Sequence, residues 1–136
     1  MPKAEFGFPG RLRDQLVTAI LDGSKTSTTG LVVDCEHGGQ PRPEIGTPAV
    51  VVDSDDRPVA VIEVTDVRVV SLAQVDLAHV VDEGEGDTSV AEWRAGHERF
   101  WHSAEMRAAM DDPEFTVDDE TLAVLERFRV IADLRP

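Results

Sequence analysis

The chain has 136 residues, with 13 basic against 27 acidic side chains, a formal charge of −14 and a single cysteine. The length suits one domain with an ordinary core. No apolar run approaches the eighteen or so residues of a membrane span, and Met1-Pro2-Lys3-Ala4-Glu5 lacks the apolar segment of a signal peptide, so a cytoplasmic location with no membrane partner is expected. The acidity argues against non-specific binding of long nucleic acids, whose affinity comes from lysine and arginine neutralising phosphates, and leans toward a small substrate. Cys35 standing alone excludes an internal disulfide and a Cys-based zinc cage, and reads as a small buried apolar residue.

Leu12, Leu16, Ala19 and Ile20 recur at helical spacing, which predicts a helix over Arg11–Asp22 stopped by Gly23. Immediately after it, Gly23-Ser24-Lys25-Thr26-Ser27-Thr28-Thr29 sets one lysine among hydroxyl side chains as the helix hands over to a strand, predicted over Thr26–Val33. An isolated lysine there reads as a solvated surface residue. The segment Asp34–Pro48 is punctuated by Gly38-Gly39, Pro41, Pro43 and Gly46 and is predicted as a loop, either a rim element or a plain solvent-exposed crossing.

The β-branched runs Ala49–Asp53 and Val59–Val64, separated by Ser54-Asp55-Asp56-Arg57-Pro58, predict a hairpin, and Val67–Val70 continues its second strand past a bulge. A short helix within Leu72–Val81 then brings the chain to Glu83-Gly84-Glu85-Gly86-Asp87. Ser89 with Glu92 three residues later is a capping-box pattern, so a helix is expected from Ser89 to about Met110. Trp93, His97 and Trp101 share one face of it. That stripe suits core packing, while the polar edges of Trp and His leave a nucleobase-stacking role open. Finally, Leu122–Ala132 alternates as a strand with one mostly buried face.

A metal site finds little support. His97 and His102 are five apart and point to different sides of a helix, His37 and His79 have no evident ligand partners, and Glu83, Glu85 and Asp87 lack the longer ligand pattern of an EF-hand. Neither a metal nor another cofactor is expected.

Two segments in this order, Gly23-Ser24-Lys25-Thr26 and Glu83–Asp87 followed by Trp93-Arg94 and His97, resemble the ASCH domain family and its bacterial branch, over Phe6-Gly7 through Phe128-Arg129-Val130. The resemblance implies an α+β fold, a small PUA-like β-barrel with flanking helices. It also implies similarity to the family's amidohydrolases, which remove the acetyl group from N4-acetylcytidine with a lysine, a threonine three residues on and a glutamate after the short helix. Those positions fall on Lys25, Thr28 and Glu83, with Glu85 as the alternative if the register shifts by two. Ser27, Thr29, Glu85, Trp93 and His97 are the candidates for binding the nucleoside.

In such a set Thr28 attacks the acyl carbon. A lysine amine is almost wholly protonated at neutral pH, so two assignments stay open: Lys25 is the base beside a Glu83 kept protonated in a dry pocket, or Lys25 remains a cation that stabilises the oxyanion while Glu83 is the base. The sequence departs from the wider family in having Gly30 where an arginine often stands, and in having no tyrosine to assist a ribonuclease mechanism. The other readings are a non-catalytic RNA-binding or RNA-regulatory PUA-like module, and a ribonuclease.

Overall fold

The computed structural model of the protein describes residues 1–39 and 42–136; Pro41, named above with the Asp34–Pro48 loop, lies outside the described residues. In chain order the elements are β1 (Lys3–Ala4), α1 (Arg11–Asp22), β2 (Ser27–Leu31), α2 (Val32–His37), β3 (Pro48–Val52), β4 (Pro58–Ser71), α3 (Leu77–Asp82), α4 (Val90–Trp101), α5 (Ala104–Ala109) and β5 (Leu122–Asp133), with a 3-10 turn at Leu72–Gln74. The strands form one sheet in the order β1-β3-β4-β5-β2. The α+β class is as expected. The sheet, however, does not close into the barrel the resemblance implied: β1 and β2 remain as two edges.

The hairpin is the expected one, with Asp53 accepting from the backbone of Asp55 and Arg57 to make its turn. The bulge falls between Val64 and Asp66, and β4 runs through it to Ser71 with β5 paired along nearly its whole length. β2 is shorter than predicted. Its ladder ends at Leu31↔Ala123 because β5 begins at Leu122, so Val32 and Val33 have no strand to pair with and coil into α2 despite their β-branched side chains. Part of the expected loop is therefore helix.

The expected long helix is two. Ser103 caps α5 by accepting from the Met106 N–H, and His102 Nε2 accepts from the Val117 N–H, which breaks the helix after Trp101. Ser89 caps α4 as its pattern predicts, accepting from Glu92 N–H at 3.1 Å. In α1 the buried side chains are Arg13, Val17 and Ile20, while Leu12 of the predicted apolar face is exposed.

Apolar side chains gather in two clusters. One packs Leu31, Leu72, Val80, Trp93, Trp101 and Leu125 beneath α3, α4 and α5; the other packs Phe6, Val17, Ile20, Val51, Ile62 and Phe128 beneath α1. Strand alternation assigns Ala123 and Leu125 to one face of the sheet and Phe128 to the other, so the clusters cover both faces. This corrects the single buried face expected of β5: Ala123, Val124 and Leu125 are all buried, whereas Arg129 to Ile131 are exposed.

Candidate active site

The site forms where the segment before β2 meets the turn after α3. Gly23 ends α1 in the left-handed region with φ 87°, a conformation that suits glycine. Lys25 N–H then donates to Ala19 O, Thr26 N–H donates to Asp82 O at 2.8 Å, and Phe128 N–H donates to Thr26 O. The Lys25 backbone is thus held by a helix end, a turn and a strand. Gly84 allows the turn to come close enough: its φ is +69°, and a Cβ there would stand 2.4 Å from Ser24 O.

α3 delivers two residues from one face. Asp76 caps it, accepting from His79 N–H at 2.9 Å, and His79 and Glu83, four apart, both point inward. Lys25 is 2% and Glu83 1% exposed. Lys25 Nζ donates to Ser27 O at 2.8 Å and to Glu83 O at 3.3 Å, and lies 3.7 Å from Glu83 Oε1 and 3.9 Å from Glu85 Oε2. The Phe6 ring is 6.0 Å from it on another side. Two carbonyls and two carboxylates make a setting that suits an ammonium with its three donors.

The two oxygens of Glu83 face different groups. Oε2 accepts from Trp93 Nε1–H and, at 3.1 Å, from Thr29 Oγ1–H. Oε1 faces Lys25 and His97 Nε2, the latter at 3.4 Å. Burial would raise the Glu83 carboxyl, but the hydrogen bond and charge of His97, the Lys25 ammonium and the Trp93 N–H together outweigh it and hold Glu83 down at about 2. Glu83 is therefore ionised at neutral pH. Burial likewise works against a charged His97, yet Glu83 and Glu85 prevail and raise it. Glu85 moves the other way: burial and the neighbouring Glu83 charge raise it against the pull of Lys25.

Beside this centre lies a cleft of about 810 Å³, bordered by Phe6, Lys25, Thr28, Thr29, Glu83, Glu85, His97 and Glu126 among others. Strand alternation turns Ser27 and Thr29 toward the α3 side and Thr28 the opposite way, beside its cross-strand partner Glu126. Lys25 and Glu83 are brought together; Thr28 lines the same cleft and makes no side-chain hydrogen bond to either among the described residues. Ser27 and Trp93, expected to touch substrate, are both 0% exposed. Ser27 Oγ donates to His79 O at 3.0 Å, and Trp93 stacks on His97 with ring centroids 4.3 Å apart. Both brace the site from behind, because packing against the sheet consumes the surfaces a base would need. Thr29, Glu85 and His97 do border the cleft.

Glu83, Glu85 and His97 place one potential ligand atom each within 4.8 Å of one another. His97 Nδ1 lies 3.0 Å from Trp93 O, which leaves Nε2 toward the carboxylates. The Lys25 ammonium already supplies a compensating cation between the two carboxylates.

Two residues escaped the sequence reading. His79 is fully buried, with Nε2 2.8 Å from Thr29 Oγ1 and 3.5 Å from Glu83 Oε2; its spacing of four from Glu83 was the available signal. Glu126, raised by burial against the pull of Lys25, is brought to Thr28 only by the β2–β5 register, which no local pattern announces.

An open five-stranded sheet carrying helices, with a buried lysine–carboxylate pair beside a cleft, describes a PUA-like α+β domain. The chain belongs to the ASCH domain family, which matches residues 4–132. It is similar in structure to protein EF3133 from Enterococcus faecalis V583, described under the family DUF984, with 21% identity, a TM-score of 0.84, and coverage of 98% of this chain and 77% of that one. It is also similar to an ASCH domain from Lactobacillus crispatus JV V101, with 27% identity, a TM-score of 0.81, and coverage of 96% and 79%. No curated protein matches the sequence. Membership supports RNA binding or a related function of the PUA-like class. Among the described residues, no helix is long and apolar enough to cross a membrane.

Proposed function

We propose that this ASCH domain is a small amidohydrolase that deacetylates N4-acetylcytidine or a related acylated nucleoside or amide. The observation that carries the reading is the Lys25–Glu83 pair, separated by 3.7 Å, shielded from bulk water and bordering a cleft roomy enough to admit a small molecule such as a nucleoside. In this reading the Thr28 hydroxyl bonds to the acyl carbon, the C–N bond to the cytosine amine breaks, and water hydrolyses the resulting ester to acetate and free Thr28. The Lys25 ammonium stabilises the oxyanion of each tetrahedral intermediate.

The proton leaving Thr28 passes to a cleft carboxylate and returns to the departing amine. Glu83, held at about 2, is a weak base and serves to orient Lys25. Glu85 and Glu126, both raised by burial, are better matched to proton exchange near neutral pH. Charge favours a nucleoside over a strand. Besides Lys25, the cations bordering the cleft are Lys3 and Arg13, and both are already engaged, by Asp56 and by Gly7 O, so one ammonium is left to meet an anion and little to hold a run of phosphates.

The test is to incubate the protein with N4-acetylcytidine and follow cytidine by chromatography, with Lys25→Ala and Glu83→Ala as controls. Release by the parent that is lost in both variants is the expected result. Absence of release at high enzyme concentration overturns the reading in favour of the second one, which family membership supports: an RNA-binding PUA-like module, whose RNA affinity then falls steeply as salt rises.

A further inference from the structure

Behind Glu83 lies a buried chain of polar groups that the proposed chemistry does not use. Thr29 Oγ1 is 3.1 Å from Glu83 Oε2 and 2.8 Å from His79 Nε2. A threonine hydroxyl has one proton, and donating it to the ionised carboxylate leaves Oγ1 as an acceptor for His79. His79 is then the Nε2–H tautomer, with Nδ1 as a bare lone pair. That agrees with the surroundings: His79 Nδ1 is buried with no hydrogen-bond partner, and an unprotonated nitrogen there avoids orphaning a buried N–H donor. Burial also holds His79 below the ordinary histidine range, against the pull of Glu83, so the ring is neutral.

We infer that Thr29 and His79 are a positioning pair for Glu83, which ties up Oε2 so that Oε1 is presented to Lys25 and His97. The direction of the chain is set end to end: His79 Nε2–H donates to Thr29 Oγ1, and Thr29 Oγ1–H donates to Glu83 Oε2. Trp93 Nε1–H supplies the second donor to the same oxygen. With Oε2 saturated, the carboxylate cannot rotate without losing two buried hydrogen bonds, and Lys25 keeps its anchor. Around Glu83 the facing charged or titratable groups are Lys25 before β2, His79 on α3, Glu85 in the following turn and His97 on α4. Around His79 they are Glu83, Asp76, Arg68 and Arg127. Ser27 Oγ, donating to His79 O, fixes the backbone at the far end of the chain.

The role of Glu83 in turnover rests on the amidohydrolase reading, so the experiment has an arm independent of activity. Nitrogen NMR of His79 and carbonyl-carbon NMR of Glu83 are recorded through a pH titration of the parent, Thr29→Ser and Thr29→Val, with Thr29→Ala in place of the valine variant should that fail to fold. The expected result is His79 in the Nε2–H form in the parent and Thr29→Ser. Thr29→Val then raises the Glu83 midpoint by about one unit, since a donor to the charged form is lost. In the deacetylation assay Thr29→Val lowers kcat roughly tenfold with KM within about twofold, and serine restores it. His79 in the Nδ1–H form, or a Glu83 midpoint unmoved by valine, overturns the positioning pair. If the parent releases no cytidine while the midpoint still moves, the pair stands and the amidohydrolase reading falls.

Discussion

The two faces of the sheet are stabilised differently. Under α1, Phe6, Val17, Ile20, Val51, Ile62 and Phe128 pack as an apolar layer, and the hairpin above them ends in an exposed turn with surface ion pairs such as Arg57–Asp53. Under α3 and α4 the same kind of layer, with Trp93 and Leu125, backs a cluster of ionised and hydrogen-bonded groups. The first face tolerates loss of a contact at the cost of a cavity; the second also carries charges whose desolvation is offset only while every partner is present. The buried ion-pair centre sits on the second face, Thr28 and its partner Glu126 turn toward the first, and the cleft lies where the two meet.

The largest break in that contrast is Lys25→Ala. It leaves Glu83 buried without its ammonium and is expected to cost roughly 3–5 kcal/mol in urea unfolding, whereas Lys25→Met combined with Glu83→Gln regains most of that loss and still releases no cytidine. If the double variant is no more stable than Lys25→Ala, the pair is not a coupled buried unit. On the other face, Ile62→Ala is expected to cost about 2–5 kcal/mol by cavity formation, with turnover per folded molecule unchanged; a matching loss of turnover would show that the two faces are not separable.

Gly84→Ala tests the junction. The left-handed φ and the close approach of Ser24 O force the turn back, at about 1–3 kcal/mol, and because Glu83 and Glu85 flank that position, turnover should fall more than stability does. A separate effect is expected on acid stability. Glu83 is held at about 2 against an ordinary 4.5, below its unfolded value, so its contribution is complete above about pH 4.5 and is lost as pH falls through about 2. Thermal unfolding of Glu83→Gln between those pH values should show a shallower decline than the parent; parallel curves would mean that Glu83 is not held low.

Much of the fold was legible along the chain. The helix over Arg11–Asp22, the hairpin and the Ser89 cap follow from local periodicity, turn chemistry and capping, which act over a few residues. Val32-Val33 misled because strand formation needs a partner, and β5 had already begun. The break after Trp101 was missed because apolar spacing continues past it, while Ser103 and His102 bond to groups outside that periodicity.

The site divides in the same way. Lys25 and Glu83 were picked out by motif, and the tertiary structure brings their charged ends to 3.7 Å across 58 positions of sequence. Ser27 and Trp93 were assigned to substrate contact, yet burial leaves them no open surface.

By itself the sequence determined the acidic balance, the first helix, the hairpin and the Ser89 cap, because propensity, capping and charge are local properties. Only the tertiary structure decided that the sheet stays open, that Glu83 is ionised, that His79 and Thr29 stand behind it and that Thr28 faces Glu126. Those depend on which strand pairs with which and on what water is excluded, and both are settled by contacts distant in sequence.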